Sequence, residues 1–350
     1  MDQEPPEEHF TRRDFLRRAA VAAGVASGLG ISWPQPSFRK VPQSNLSKTT
    51  LSFYLDDTNP YISGAEAFRT FLDFVSAEGN AGESSVIIGY RSDMHGLLSR
   101  PQTGEQRAYI EQVRRAFECG IDTHMELMTH RGLFDFEAGR EPEDAINEGV
   151  WLHDPDVSVG AYESYFEHII EEGNRIGVRF TGVTWPGGGG EICKHSLGII
   201  PNVSQALLNL AKRGRFRGRT VPCFTLEELE ERPIEPVPVA SDGEYGVYDL
   251  LPNTEDYFGI WENDPARVNA DYYITADGES GRIVDLVRAG APYCLFYAHW
   301  QGFNPANGVG WEAFTQVVRR VQKFLGDQVL WMRPSEYTDQ CHESLGTAGP

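Results

Sequence analysis

Two carboxylates stand side by side where an apolar run ends. In "LSFYLDDTNPY", residues 51–61, the strand-like residues Leu51 to Leu55 give way to Asp56 and Asp57. Adjacent like charges repel, and a nearby dication would hold both ionised. The same pair also suits a turn or a helix N-cap. Other polar or aromatic residues follow apolar runs in the same way: His130 after "HMELMT", Trp185 and a run of glycines after "RFTGV", and His299 and Trp300 after "PYCLFYA". By the two-residue period of a strand, His124, Glu126, Met128 and His130 share one face. That makes His124, Glu126 and His130 a conceivable ligand set, although side chains so far along one strand spread widely for a single ion. The segment "WPGGGGE", Trp185 to Glu191, offers backbone amides, Gly187 among them, that can approach a substrate or an oxyanion.

These residues need elements that bring strand ends together. After residue 48 the strand-like runs are "LSFYL", "SSVIIGY", "IDTHMELM", "VRFTGVTW", "TVPCFTL", "DYYITA", "PYCLFYAHW" and "QVLWM". Amphipathic helical patterns lie between them: "GAEAFRTFLDFVSAEG", "GEQRAYIEQVRRAFECG", "AYESYFEHIIEEGNRIG", "SQALLNLAKRG", "SGRIVDLVRAG" and "WEAFTQVVRRVQKFLG". Several end in Gly, which tolerates the left-handed cap conformation. The alternation predicts parallel strands with helical crossovers, and about eight strands suit a single α/β barrel, whose active site gathers where strands pass into the following loops. The Pro-rich "RPIEPVPVASDGEYG" reads as a long loop.

Bulk properties narrow the partners. The 350 residues carry a net charge of -20, without a basic block beyond the N-terminal region, which argues against nucleic acid and against docking on anionic lipid. The five cysteines, Cys119, Cys193, Cys223, Cys294 and Cys341, form no Cys-x-x-Cys pair and read mostly as buried thiols. The N-terminal "TRRDFLRRAAVAAGVASGLGISW" places Arg12 and Arg13 before a weakly apolar stretch of small residues. It resembles a twin-arginine (Tat) signal, which implies export of the folded protein through the Tat machinery to the periplasm or the cell exterior. Residues 1–33 are thus a signal segment and 34–48 a linker, leaving 49–345 for the barrel. The apolar stretch is too short and too rich in Gly and Ala for a stable membrane span, and an uncleaved signal is an alternative route to anchoring.

The order of motifs in roughly residues 50–340 resembles the polysaccharide deacetylases, relatives of chitin-oligosaccharide deacetylase. "SFYLDD" is similar to that family's first strand with its terminal Asp-Asp pair, and "ELMTH", Glu126 to His130, to its Glu-apolar-x-Asn/Thr-His segment. The family's second His falls four residues later, where this chain has Phe134. "WLHDPDVS" places His153 in a similar context after the insertion "RGLFDFEAGREPEDAINEGVW". "VTWPGG" resembles an Arg-Pro-Pro-x-Gly motif with Thr184 in place of the Arg, and "LFYAHW" resembles the late strand ending in His.

The resemblance implies a distorted (β/α)7-type barrel and a metal-dependent hydrolase cleaving C–N amide bonds, with N-deacetylation of a polysaccharide as the reaction. It implies a divalent metal on Asp57, His130 and His153, Asp56 as general base and His299 as general acid. Two His and a carboxylate suit Zn²⁺, and other divalent ions suit the same donors. Trp185, Gly187 and Trp300 are the expected substrate-facing residues; Trp300, Trp311 and Trp261 are candidates for a sugar-stacking platform. Arg179 and Arg91 are candidates to replace the arginine missing at Thr184. His95, His168, His195 and His342 read as structural or solvent-facing. Two alternatives remain open: a glycan-binding barrel without catalysis, and a hydrolase of a small non-glycan amide.

Overall fold

The computed structural model describes residues 48–59, 64–89, 103–127, 132–140, 142, 144–185, 199–225 and 236–347. The expected signal segment, His130, Gly187, Arg91, His95, Cys193 and His195 lie outside the described residues. No described helix is long and apolar enough to cross a membrane.

Among the described residues, nine strands form one sheet: β1 (Thr49–Asp56), β2 (Gly82–Val86), β3 (Ile121–Met125), β4 (Gly182–Thr184), β5 (Thr220–Phe224), β6 (Val237–Ser241), β7 (Gly246–Leu250), β8 (Tyr293–His299) and β9 (Val329–Trp331). The order is β6-β7-β5-β4-β3-β2-β1-β8, with β9 also on β1. All pairs are parallel except β6 with β7. The main helices are α1 (Ala65–Glu78), α2 (Gly104–Ala116), α3 (Val159–Arg175), α4 (Pro201–Lys212), α5 (Arg282–Arg288), α6 (Trp311–Leu325) and α7 (Pro334–Thr347). The first six coincide with the predicted helical patterns. In α1, Phe68, Phe71, Leu72 and Val75 form the buried face, and Gly79 ends the helix at φ 67°. In α2 a capping box of Thr103 and Gln106 satisfies the first-turn amides.

Two expectations fail here for local reasons. "DYYITA" is no strand: Ala270–Tyr273 is one helical turn, because the Asn269 side chain accepts the Tyr272 N–H and starts it. The Pro-rich segment expected as a loop holds the β6–β7 hairpin instead. Its Pro238 is tolerated because β6 is an edge strand, and Asp242 organises the turn by accepting the N–H groups of Glu244 and Tyr245.

The expected barrel is met in part. The sheet curls far enough for Tyr54 of β1 to stack on Phe224 of β5 at 4.6 Å and on Tyr297 of β8 at 5.1 Å. It does not close by backbone pairing: among the described residues its edge strands, β6 and β8, form no ladder with each other. After β7 the chain passes Pro252, which has no N–H to give, and three polar side chains run along the free edge of β8. Asn253 Nδ2 donates to the Tyr293 carbonyl (3.0 Å) and its Oδ1 accepts the Leu295 N–H (2.9 Å). Thr254 Oγ1 accepts the Tyr297 N–H (3.2 Å), and Asp256 Oδ2 accepts the His299 N–H (3.1 Å). Side chains thus satisfy an edge that would otherwise be left unpaired.

Candidate active site

β1 and β3 end with their carboxylates beside each other. Asp56, Asp57 and Glu126 are all buried, and each offers an oxygen within 4.8 Å of the others. The backbone makes this possible at some strain: Asp57 has φ 65° and Leu127 φ 44°, both in the left-handed region that non-glycine residues avoid. The turn at Asp57 aims its N–H at two carboxylates, Asp56 Oδ1 (3.1 Å) and Glu126 Oε2 (3.0 Å). Ser85, at the end of β2, donates its hydroxyl to Glu126. Gln301 Nε2 donates to Asp57 Oδ2 at 2.8 Å. Burial, followed by the negative charges of Glu126 and Asp57, pushes the Asp56 carboxyl well above the usual range.

Thr184 closes the far side of this layer. The β3–β4 register runs His124 to Gly182 and Met125 to Val183, so the next pair along is Glu126 with Thr184. Its hydroxyl is buried without a hydrogen-bond partner. Arg179 does not supply the missing guanidinium, because it lies ahead of β4 and is spent on the carbonyls of Gly214 and Phe216.

One layer deeper, Glu83 and His124 face each other with Glu83 Oε2 3.6 Å from His124 Nδ1, too long for a hydrogen bond. Burial lowers His124 to about 3, so its ring is neutral near pH 7, and burial followed by the charge of Asp122 raises Glu83 well above its ordinary value. Gly182 gives the imidazole its space: a Cβ there would sit 2.5 Å from His124 Nε2. The ring also stacks on Phe224 at 5.0 Å. His124 and Glu126 do share the inner face, as the strand period predicts, but at different depths.

The β1–β8 register pairs Asp56 with His299. His299 Nδ1–H donates to Asp256 Oδ2 at 2.9 Å, and its Nε2 is 2.8 Å from the Tyr297 hydroxyl. A carboxylate on Nδ1 fixes the orientation of the ring and leaves Nε2 directed at Tyr297. Asp256 was missed from sequence. It follows no apolar strand and lies 43 residues before its partner.

His153 follows a short helix, Glu148–Trp151, and its Nδ1–H donates to the Gly149 carbonyl at 2.7 Å. That bond fixes the tautomer with Nε2 as the acceptor, and burial lowers its pKa. His153 does not belong to the group formed by Asp56, Asp57 and Glu126. Phe134, at the position of the family's second His, is buried and packs edge-on to Phe136. The two described tryptophans expected to face substrate are core residues. Trp300 is fully buried, edge-on to Phe68 and Phe71, and Trp185 is 3% exposed. Neither presents a ring face to a sugar.

The three converging carboxylates are a donor set that fits a divalent cation. Oxygen donors of this kind suit Mg²⁺, Mn²⁺ or Ca²⁺, whereas histidine would move the preference toward Zn²⁺.

No family model matches the sequence, and no curated protein matches it. Solved structures with similar folds include a deacetylase with substrate, at TM-score 0.40 and 9% identity, covering 85% of this chain and 91% of that one. A predicted polysaccharide deacetylase from Mycobacterium smegmatis has TM-score 0.46 and 12% identity, covering 90% and 94%. A GH57 branching enzyme from the hyperthermophilic archaeon Thermococcus kodakaraensis, in complex with glucose, has TM-score 0.48 and 9% identity, covering 84% and 71%. Likenesses this distant leave function to be argued from the site.

Proposed function

We propose that the protein is an exported, metal-dependent hydrolase of C–N amide bonds, acting on N-acetyl groups of a polysaccharide. The observation that carries this reading is the buried group Asp56, Asp57 and Glu126 facing His299 across the β1–β8 register. The order of sequence motifs supports the reaction class, and the Arg-Arg segment supports export by the Tat route to the periplasm or cell exterior. Asp57 would hold the cation, with His130 and His153 proposed from the motif resemblance as further ligands that would favour Zn²⁺, and with Glu126 as a neighbouring oxygen donor.

When bound, the cation supplies polarisation of the amide carbonyl and a more acidic water. Asp56 takes the proton of the attacking water at its carboxylate. Glu126 and Ser85 hold the surroundings of Asp56 fixed. His299 gives its proton at Nε2 to the leaving nitrogen, while Asp256 stabilises the charged ring through Nδ1. Because the Tyr297 hydroxyl sits at Nε2, the leaving amine either displaces it or receives the proton through it.

The test combines metal analysis with product analysis. Purified protein should hold one divalent ion per chain and release acetate from N-acetylated oligosaccharides, and Asp57→Ala should lose both properties. Wild-type protein without stoichiometric metal or acetate release would return the chain to a glycan-binding role. Release from small amides alone would replace the polysaccharide as substrate.

A further inference from the structure

Trp261 is the most exposed large apolar residue among the described residues, at 59%. Trp300 and Trp311, the other candidates for a stacking platform, are committed to the aromatic core. The loop that carries Trp261 is rigid and tied to the site at two points. At its start, Asp256 holds His299 through both backbone and ring. In its middle, residues 258–260 press on Gly302, where a Cβ would lie 2.5 Å from the Phe258 carbonyl and 2.8 Å from that of Ile260. Gly302 directly follows Gln301, whose amide donates to Asp57. These steps tie the loop that carries Trp261 to the acidic group through Gly302 and Gln301, and to His299 through Asp256.

The loop holds unfavourable backbone to keep this shape. Ile260 has φ 51° and Asn263 φ 54°, and a β-branched residue in that region is a true outlier. The Asn263 side chain bonds the Asn307 carbonyl and the Val309 N–H, and the Asp264 N–H donates to Gly259. Strained backbone, fixed by the surrounding contacts, spends its rigidity on holding one indole in water. The other exposed large apolar residues, Ile146 and Leu330, lie on different elements, so Trp261 does not belong to a broad apolar face of the size protein interfaces need. A single flat ring fits a ligand with one apolar face and polar edges, and Glu262 beside it in sequence offers a partner for hydroxyl groups. The net charge of -20 disfavours an anionic chain.

The geometry points to Trp261 as a stacking platform for a pyranose ring of a neutral polysaccharide, beyond the unit that reacts. This rests on the proposed carbohydrate substrate. Trp261 is then a specificity-determining residue that favours long chains over short ones.

The experiment uses the full chain with its metal, a β-1,4-linked N-acetylglucosamine hexamer and the corresponding dimer. In Trp261→Ala, KM for the hexamer should rise about tenfold with kcat unchanged, and KM for the dimer should stay the same. Trp261→Tyr should restore most of the hexamer affinity. Hexamer addition should shift the wild-type indole emission to the blue, and the Ala variant should lose that shift. Because the side chain is exposed, the Tm of both variants should match wild type. Wild-type hexamer turnover with an unchanged KM in Trp261→Ala overturns the stacking role and leaves the hydrolase reading standing. A wild-type protein that neither binds nor hydrolyses the hexamer overturns both.

Discussion

At the lower end of the strands, the buried Asp122 and the half-buried Asp339 each have donors of their own. At the upper end, buried acids crowd one another. Below, Asp122 of β3 accepts the backbone N–H and the hydroxyl of Ser335 (2.7 and 2.8 Å), and Asp339 accepts the N–H and hydroxyl of Thr220 (3.1 and 2.7 Å). The Tyr248 hydroxyl meets His342 Nδ1 at 3.0 Å. All three contacts are made by α7, which covers that end. Above, on the same β3, Glu126 shares one backbone N–H with Asp56 and stands against Asp57. Donors satisfied one by one stabilise a fold. Like charges gathered in one buried group are kept where a cation or a reaction needs them. The lower end is therefore where substitution should cost stability, and the upper end where it should cost activity.

Exchanging the two kinds of damage gives the largest effect. Asp57→Ala and Asp56→Asn should each lower turnover by roughly a thousandfold or more, with metal-free stability in urea unchanged or higher, since a buried like charge has been removed. Asp122→Ala should do the reverse. It strands the two Ser335 donors and should cost about 2–4 kcal/mol in urea unfolding, with kcat per folded molecule near wild type. Equal loss of stability from Asp57→Ala would break the contrast.

A smaller effect lies in the pH dependence of the lower end. Burial raises the Asp122 carboxyl to about 6, even with the Ser335 bonds pulling it down. The unfolded value is about 3.9, so between the two the native state binds the proton that the unfolded chain has lost. The stability Asp122 contributes is thus fully present below about pH 4 and declines as pH rises through about 6, by about 3 kcal/mol. The difference between wild-type and Asp122→Asn unfolding free energies, measured from pH 4 to 7, should carry that slope. A flat difference would remove the titration from this site.

The smallest effect sharpens the upper end. Asp256→Asn keeps an acceptor for the His299 amide but replaces the carboxylate that holds the ring at Nδ1. Turnover should fall about 10–100-fold with KM near wild type. Unchanged turnover would mean that Asp256 does not position a working His299.

What the sequence revealed of this site followed strand ends. Asp56, Asp57 and His299 each close an apolar run, and parallel strands bring such ends to one side of a sheet. The helices were legible for a similar reason, because a 3.6-residue apolar stripe is a local signal. Asp256 left no such mark: its position depends on an irregular segment finding β8, a long-range fact without periodicity. Glu126 entered only as part of a motif and a rival ligand set, since its meeting with Asp57 depends on two left-handed residues that sequence pattern does not announce. Trp300 was misjudged because an aromatic after a strand looks the same whether the chain turns it outward or into the core. The β6–β7 hairpin was hidden by prolines, although "SDGEY" held the turn chemistry that marks it.

The side chains along β8 make a seam that can be unpicked one stitch at a time. A backbone ladder breaks by moving a whole strand, whereas here Asn253, Thr254 and Asp256 each guard one alternate amide, those of Leu295, Tyr297 and His299. The last stitch also carries the imidazole. A partial opening that starts from that end would release His299 while the rest of the sheet stays paired, so an activity that depends on His299 should fail ahead of the fold when the protein is warmed. The seam also gives selection a separate handle on the position of His299, one that leaves the sheet's own hydrogen bonds untouched.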